Sequence, residues 1–393
     1  MNLQLSTEDE RFLAEVRAFL HGALPEDVRR RALTPLHPPH EDDRRWWNRQ
    51  LYERGWAAPS WPVEYGGCGW SPLRAHLFEQ ACCEAGAPEL RWQGLRLFGP
   101  VLYTFGTAEQ KARYLPGILR GDTQWAQGFS EPGAGSDLAS LKTSAVRDGA
   151  HYIVSGQKIW TSEAHYSEMG FFLVRTDASV KPQAGLSMLI IDLRSPGVTV
   201  RPITMLHGDT AVSEIFLDQV RVPAENLLGE PGSGWTQAKF LLGNERTGGA
   251  ETHHSRRMLR RVTALARTRL REGRPLIEDA RIAARIADVG ADLEALEWSV
   301  LRVLCGAPQR WAEAAVTSAL KVRGSEIQQR VSELGMEILG FDALRQYGRD
   351  EGFASRDLAA GITADLLYQR ASTIMGGARE VQKNIIAKLA FGL

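Results

Sequence analysis

The 393-residue chain is expected to fold as an α+β protein in three segments: an all-α N-terminal domain over 1–122, a middle antiparallel β domain over 123–232 and a C-terminal helical bundle over 233–393. Three observations point there. Apolar residues recur every three or four positions at both ends of the chain but every second position in the middle. The middle runs are rich in Val, Ile, Phe and Leu and are separated by Gly, Pro and Asp. No helix of useful length fits between them.

In the first segment, Ser6 and Thr7 precede Asp9 and Glu10 in a capping-box pattern, so a helix is expected to start there. Phe12, Leu13, Val16, Phe19 and Leu20 share its apolar face, and Pro25 closes it. Further helices read through Trp46 to Leu51, Leu73 to Cys83 and Glu109 to Leu119. Trp56 to Gly69, with Trp61, Pro62 and Gly66-Gly67, reads as a long turn-rich connection.

In the middle segment, Ala145 to Arg147 and His151 to Val154 flank Asp148-Gly149, a pair that tolerates positive φ and so marks a hairpin. Strands follow at Phe171 to Arg175, Leu186 to Leu193, Val198 to Pro202 and Ser213 to Val222. In the third, Ile282, Ile286, Val289, Leu293, Leu296, Val300 and Val303 alternate four and three apart, the spacing of a bundle helix packing at a shallow angle. Ala312 to Leu339 and Ile362 to Ala390 add long helices, interrupted at Gly340, Gly348 and Gly376-Gly377.

Composition excludes whole classes of function. Lys and Arg number 47 against 47 Asp and Glu, so no bulk field favours nucleic acid or acidic lipid. No apolar run reaches the roughly 18–20 residues that a membrane span needs. The N-terminus lacks the pattern of a signal peptide and only four cysteines occur, so a cytoplasmic protein with reduced thiols is expected. Cys82-Cys83, His253-His254 and His37-Pro-Pro-His40 lack ligand spacings, and no metal site is expected. Arg256, Arg257, Arg260 and Arg261 read as a solvated basic face, with the steering of a ligand's phosphates as the alternative.

The chemistry-bearing stretches are few. Gln127 to Asp137 (QGFSEPGAGSD) brings glycines and a proline that let backbone approach a ligand, with Ser130 and Ser136 as short hydroxyl donors. It lacks the Lys-Ser/Thr ending of a P-loop and the strand-to-helix context of a dinucleotide fingerprint. Gly156 to Ser162 (GQKIWTS) follows about twenty residues later.

These two motifs, with FLLGNER at 240–246 and IMGGAREVQKNIIA at 374–387, resemble the acyl-CoA dehydrogenase family, in order and over nearly the whole chain. The flavour is similar to large subunits of bacterial dehydrogenases for bulky or carboxylated acyl-CoA esters, as in fatty acid or steroid side-chain metabolism. The resemblance implies a C-terminal four-helix bundle, an acyl-CoA substrate and a bound FAD. It sets Gln127, Phe129 and Ser130 against the isoalloxazine ring, Ser136 at the phosphate side and the substrate entrance, and Trp160, Thr161 and Ser162 at the opposite ring edge. Arg246 would help bind substrate and Arg269 the cofactor.

Two departures from the family pattern matter. The glutamate that many members carry before a Gly-Thr pair is Gly376 here, and glycine cannot accept a proton. The resemblance offers a second position on a helix directly before an arginine, which Glu245 fills, so Glu245 is the expected base. The other departure is Glu272, where the family stacks a Phe on a neighbour's FAD, and Ala378, which replaces a hydroxyl residue. This erosion suggests that a smaller homologous subunit supplies that half of the site in a heterotetramer, with a homo-oligomer as the alternative and electron-transfer flavoprotein as the oxidant. The fold is shared by oxidases and flavin monooxygenases, and a subunit that only scaffolds a catalytic partner is a third reading.

Overall fold

The computed structural model describes residues 4–248, 250–306 and 312–393, with the side chains of 244–248 left aside. The chain forms two compact units. One comprises 1–50, 69–89 and 246–393, the other 51–68 and 90–245. The N-terminal segment therefore contributes to both.

The second unit is built on one sheet. Its strands are β1 (Trp125–Gly128), β2 (Ser144–Asp148), β3 (His151–Ser162), β4 (Met169–Arg175), β5 (Leu186–Asp192), β6 (Val198–Thr204), β7 (Thr210–Pro223) and β8 (Leu227–Leu228). The order is β6-β7-β3-β2-β4-β5-β8, with β1 beside β4. The neighbours run antiparallel except β1 on β4 and a single parallel pairing of β2 with β4. The Asp148-Gly149 hairpin forms as expected, with Gly149 at φ 56°.

β4 is buried on both faces, which is why it reads as a continuous apolar run rather than an alternation. Phe171 and Leu173 pack with Leu95, Phe98, Ile118 and Trp125 in one core. Phe172 and Val174 point the other way, into a second core with Leu189, Ile215 and Leu217. Gly128 and Gly170 flank the Phe172 ring: a β-carbon on either would stand 2.2 and 2.4 Å from it. The helix Ala108–Arg120 carries a complete capping box between Thr107 and Gln110. Trp61, inside the long connection, donates its indole N–H to the Leu95 carbonyl at 2.7 Å. That carbonyl belongs to a widened helical turn at Gln93–Phe98, which leads into the helix Gly99–Phe105.

The first unit is helical. Thr7–Ala23 is capped by Ser6, which accepts from the Asp9 N–H, and Pro25 serves as the N-cap of a further helix, Glu26–Leu33. Thr252–Thr268, Ala280–Leu304 and Glu313–Leu339 share a core that includes Val262, Ile282, Leu293, Ile327 and Val331. The expected helical stretch over 362–390 forms as Ile362–Gln369 and Arg379–Ile386, with turns between them that include the expected interruption at Gly376 and Gly377, at φ 63° and 92°. The basic stretch of Thr252–Thr268 is only in part a solvated face: Arg260 is exposed, but the arginines are tied to neighbouring groups. Arg256 pairs with Glu294 and Glu297, Arg260 with Glu84, and Arg261 donates to the carbonyls of Leu33, Asp357, Leu358 and Ala360. No helix among the described residues is long and apolar enough to cross a membrane.

Candidate functional site

β1 delivers the first motif and β3 the second, and a buried ion pair joins them. After Gly128 the chain leaves the sheet and closes a tight turn in which Glu131 and Ala134 exchange backbone hydrogen bonds at 3.0 Å. The Glu131 carboxylate accepts from the backbone N–H of Lys142 at 2.7 Å and of Thr143 at 2.8 Å. Its third donor is Lys158 Nζ at 2.9 Å. Lys158 has no solvent exposure, and its ammonium also donates to the carbonyls of Phe129 (3.0 Å) and Leu173 (2.7 Å). Three donors meet three acceptors, which is what burial of an ammonium demands.

Burial pulls the Lys158 ammonium down to about 8, with Glu131 opposing it. Burial works against the Glu131 carboxylate too, but Lys158 and the hydrogen bonds from Thr143 and Lys142 outweigh it and hold it below the usual range. Arg175 fastens the far side of the loop through the carbonyls of Ala139 (2.8 Å) and Leu141 (3.1 Å).

The backbone makes the second link. Ile159 N–H donates to the Ser130 carbonyl at 3.0 Å, and the β3–β7 register slips between Lys158 and Thr161. This bulge sends Trp160 to φ 61° and leaves its indole 59% exposed, an unusual state for a large aromatic and one that offers a flat apolar face. Thr161 next to it is buried, and its Oγ1 has no hydrogen-bond partner among the described residues.

Of the expected site residues, Gln127 and Ser130 are half-buried, Phe129 and Thr161 are buried, and Ser136, Trp160 and Ser162 are exposed. The links through Lys158 and Ile159 bring 129–130 and 158–160 together. Gly133 and Gly135 have open space where a β-carbon would go and do not take positive φ, so the protein itself does not require glycine at either. An orphaned buried hydroxyl, an exposed indole face and two glycines without an internal reason suit a planar, phosphate-bearing cofactor such as FAD.

Glu245 and Arg246 lie near the end of the helix Gly234–Gly248, and their side chains fall outside the described residues. Arg269, in the other unit, is engaged by Asp342 at 2.7 Å and Asp357 at 3.8 Å. Glu272 and Gly273 form the tip of a short hairpin at φ 54° and 79°, with the Glu272 side chain exposed. Ala378 is the N-cap residue of Arg379–Ile386 and supplies no side-chain cap.

Sequence reasoning missed Glu131 and Lys158. Yet Lys158 lies in phase with the buried Tyr152 and Val154 of its strand, so the alternation already pointed it inward. It also missed Asp365, which is buried and accepts from His37 at 3.0 Å. Two residues so far apart in the chain leave no local signal.

Family models of the acyl-CoA dehydrogenase N-terminal, middle and C-terminal domains match residues 6–122, 126–220 and 232–391. Acyl-CoA dehydrogenase IpdE1 of Mycobacterium tuberculosis is 35% identical, with 98% of this chain and 97% of the relative covered. Acyl-CoA dehydrogenase FadE29 of the same organism is 32% identical at 98% and 97% coverage. Among solved structures, the Tcur3481-Tcur3483 steroid ACAD superposes with a TM-score of 0.86 at 31% identity, covering 100% of this chain and 99% of that one. The ChsE4-ChsE5 complex from Mycobacterium tuberculosis gives 0.85 at 32%, with the same coverage. The chain therefore belongs to the acyl-CoA dehydrogenase family, oxidoreductases that act on CH–CH bonds.

Proposed function

We propose that this chain converts an acyl-CoA thioester to its trans-2-enoyl-CoA with Glu245 as the base and FAD as the cofactor. The observation that carries the reading is the joined pair of motif loops, which supplies an exposed indole and an orphaned buried hydroxyl in one place. Gln127, Phe129, Ser130, Trp160, Thr161 and Ser162 would hold the flavin ring, and Ser136 its phosphate side and the substrate entrance. When bound, FAD accepts the hydride that leaves the β-carbon. The α-hydrogen of a thioester is only weakly acidic, so its removal needs a carboxylate kept from water and donors for the developing enolate oxygen. Glu245 takes that proton, and Arg246 beside it binds the substrate.

The acyl group is proposed to be bulky and ring-bearing, supported by the steroid ACAD among the similar structures. A smaller homologous subunit is proposed as partner. Two-protein assemblies among the similar structures support it, as do Arg269, already occupied by Asp342 and Asp357, and Glu272, a carboxylate at a position of aromatic stacking. Electron-transfer flavoprotein would reoxidise the enzyme in the cytoplasm, and the segments 1–122, 123–232 and 233–393 are its proposed domains. The test is visible absorption of the purified chain, alone and with the partner, followed during addition of straight-chain and steroid-ring acyl-CoA esters. Flavin that rises with the partner and bleaches with ring-bearing esters supports the reading. One tightly held FAD per chain in a homotetramer refutes the heteromer, and failure of every ester to bleach the flavin refutes the dehydrogenation.

A further inference from the structure

A buried ion pair is an inefficient fastener, because two charges must be desolvated and a well-packed apolar pair of similar volume is often as stable. Lys158 and Glu131 nevertheless hold the two loops that carry the proposed flavin contacts. The Phe129 carbonyl that accepts from Lys158 belongs to the peptide unit whose other end is the Ser130 N–H. In a planar trans peptide the C=O and N–H point in opposite directions, so this N–H faces away from the ammonium. It has no acceptor among the described residues.

We propose that Lys158 is a positioning residue for the flavin: anchored by Glu131, its ammonium polarises the Phe129–Ser130 peptide and makes the Ser130 N–H a stronger donor to the reduced ring than to the oxidised one. Hydrogen bonds in series polarise one another, and a charge at one end strengthens the other. Two-electron reduction of an isoalloxazine adds negative charge to its polar edge, so a stronger donor there favours the reduced form. The ammonium stays charged at neutral pH because Glu131 opposes the effect of burial. The inference rests on the flavin reading of this loop given above.

The test is the midpoint potential of the bound flavin, measured by dye equilibration without any acyl-CoA, in the parent holoenzyme, in Lys158→Met and in the charge-free Glu131→Gln/Lys158→Met. The double variant covers the case in which a lone buried carboxylate prevents folding. Both variants are expected to lose about tenfold or more in preference for reduced over oxidised flavin, a fall of about 30 mV for a two-electron couple. The unfolding midpoint of the flavin-free proteins is measured alongside. A lowered unfolding midpoint with an unmoved potential makes the pair a structural clamp only and overturns the proposal. Absence of flavin from the parent, with its partner present, overturns the flavin reading itself and this inference with it.

Discussion

The glycine-rich loop allows glycines that the fold needs to be separated from glycines that only a bound ligand would need. A β-carbon on Gly128 would lie 2.2 Å from Cδ1 and 2.4 Å from Cε1 of Phe172, a ring without solvent exposure. Carbon atoms settle at about 3.5–4.0 Å, so strand or ring must retreat by more than ~1 Å. Gly128→Ala should therefore cost the ligand-free protein about 1–3 kcal/mol, the usual range for overpacking. Gly133→Ala and Gly135→Ala meet nothing within 4 Å among the described residues and need no left-handed backbone. In the ligand-free protein they should be neutral or stabilising by about 0.4–1 kcal/mol, through a less flexible unfolded chain. With ligand the ranking changes. If cofactor or substrate lies against this backbone, each should weaken FAD or acyl-CoA binding about tenfold or more, roughly 1.4 kcal/mol. Urea midpoints of flavin-stripped protein read the first effect, and fluorescence titrations with FAD and a CoA ester read the second. Unchanged affinity for both ligands in both variants would refute the cradle.

Three further outcomes are expected. Glu245→Gln should retain FAD and acyl-CoA yet slow flavin reduction by about 10²–10⁴, as loss of a general base does; reduction at the parent rate in stopped flow removes Glu245 from the role. Gly376→Glu should not raise turnover, since a side chain at φ 63° is strained; a faster variant would count against Glu245 as the base. His76 is held by burial at about 4, below its ordinary 6.5, so the fold favours the neutral ring. Its contribution is complete above pH 6.5 and disappears as pH falls toward 4, up to about 3 kcal/mol. His76→Leu should flatten the acid limb of a stability–pH profile, and an unaltered slope would show that another group carries it.

The elements with local signatures were legible in the sequence: the Ser6 cap, the Asp148-Gly149 hairpin and the Ile282 to Val300 stripe. The helical stretch 93–105 was not, because Gly94, Gly99 and Pro100 have low intrinsic helix propensity and the turns are held by the complete burial of Phe98, Val101 and Leu102. The sharing of the N-terminal segment between two units was equally hidden, since periodicity says which face is apolar but not what covers it. At the candidate site the motif residues were readable and their anchor was not. Lys158 has the inward phase of its strand, but the partner that makes a buried lysine tolerable lies 27 residues away, across a loop.

That separation constrains how the gene can change. Replacing either Glu131 or Lys158 alone strands a charge inside the protein, at a cost of about 3–5 kcal/mol, a large share of a typical stability margin. Single-codon drift at either position is therefore selected against, even where the reaction is not. Related sequences should keep both residues or exchange both for uncharged ones, and intermediates with one charge should be rare.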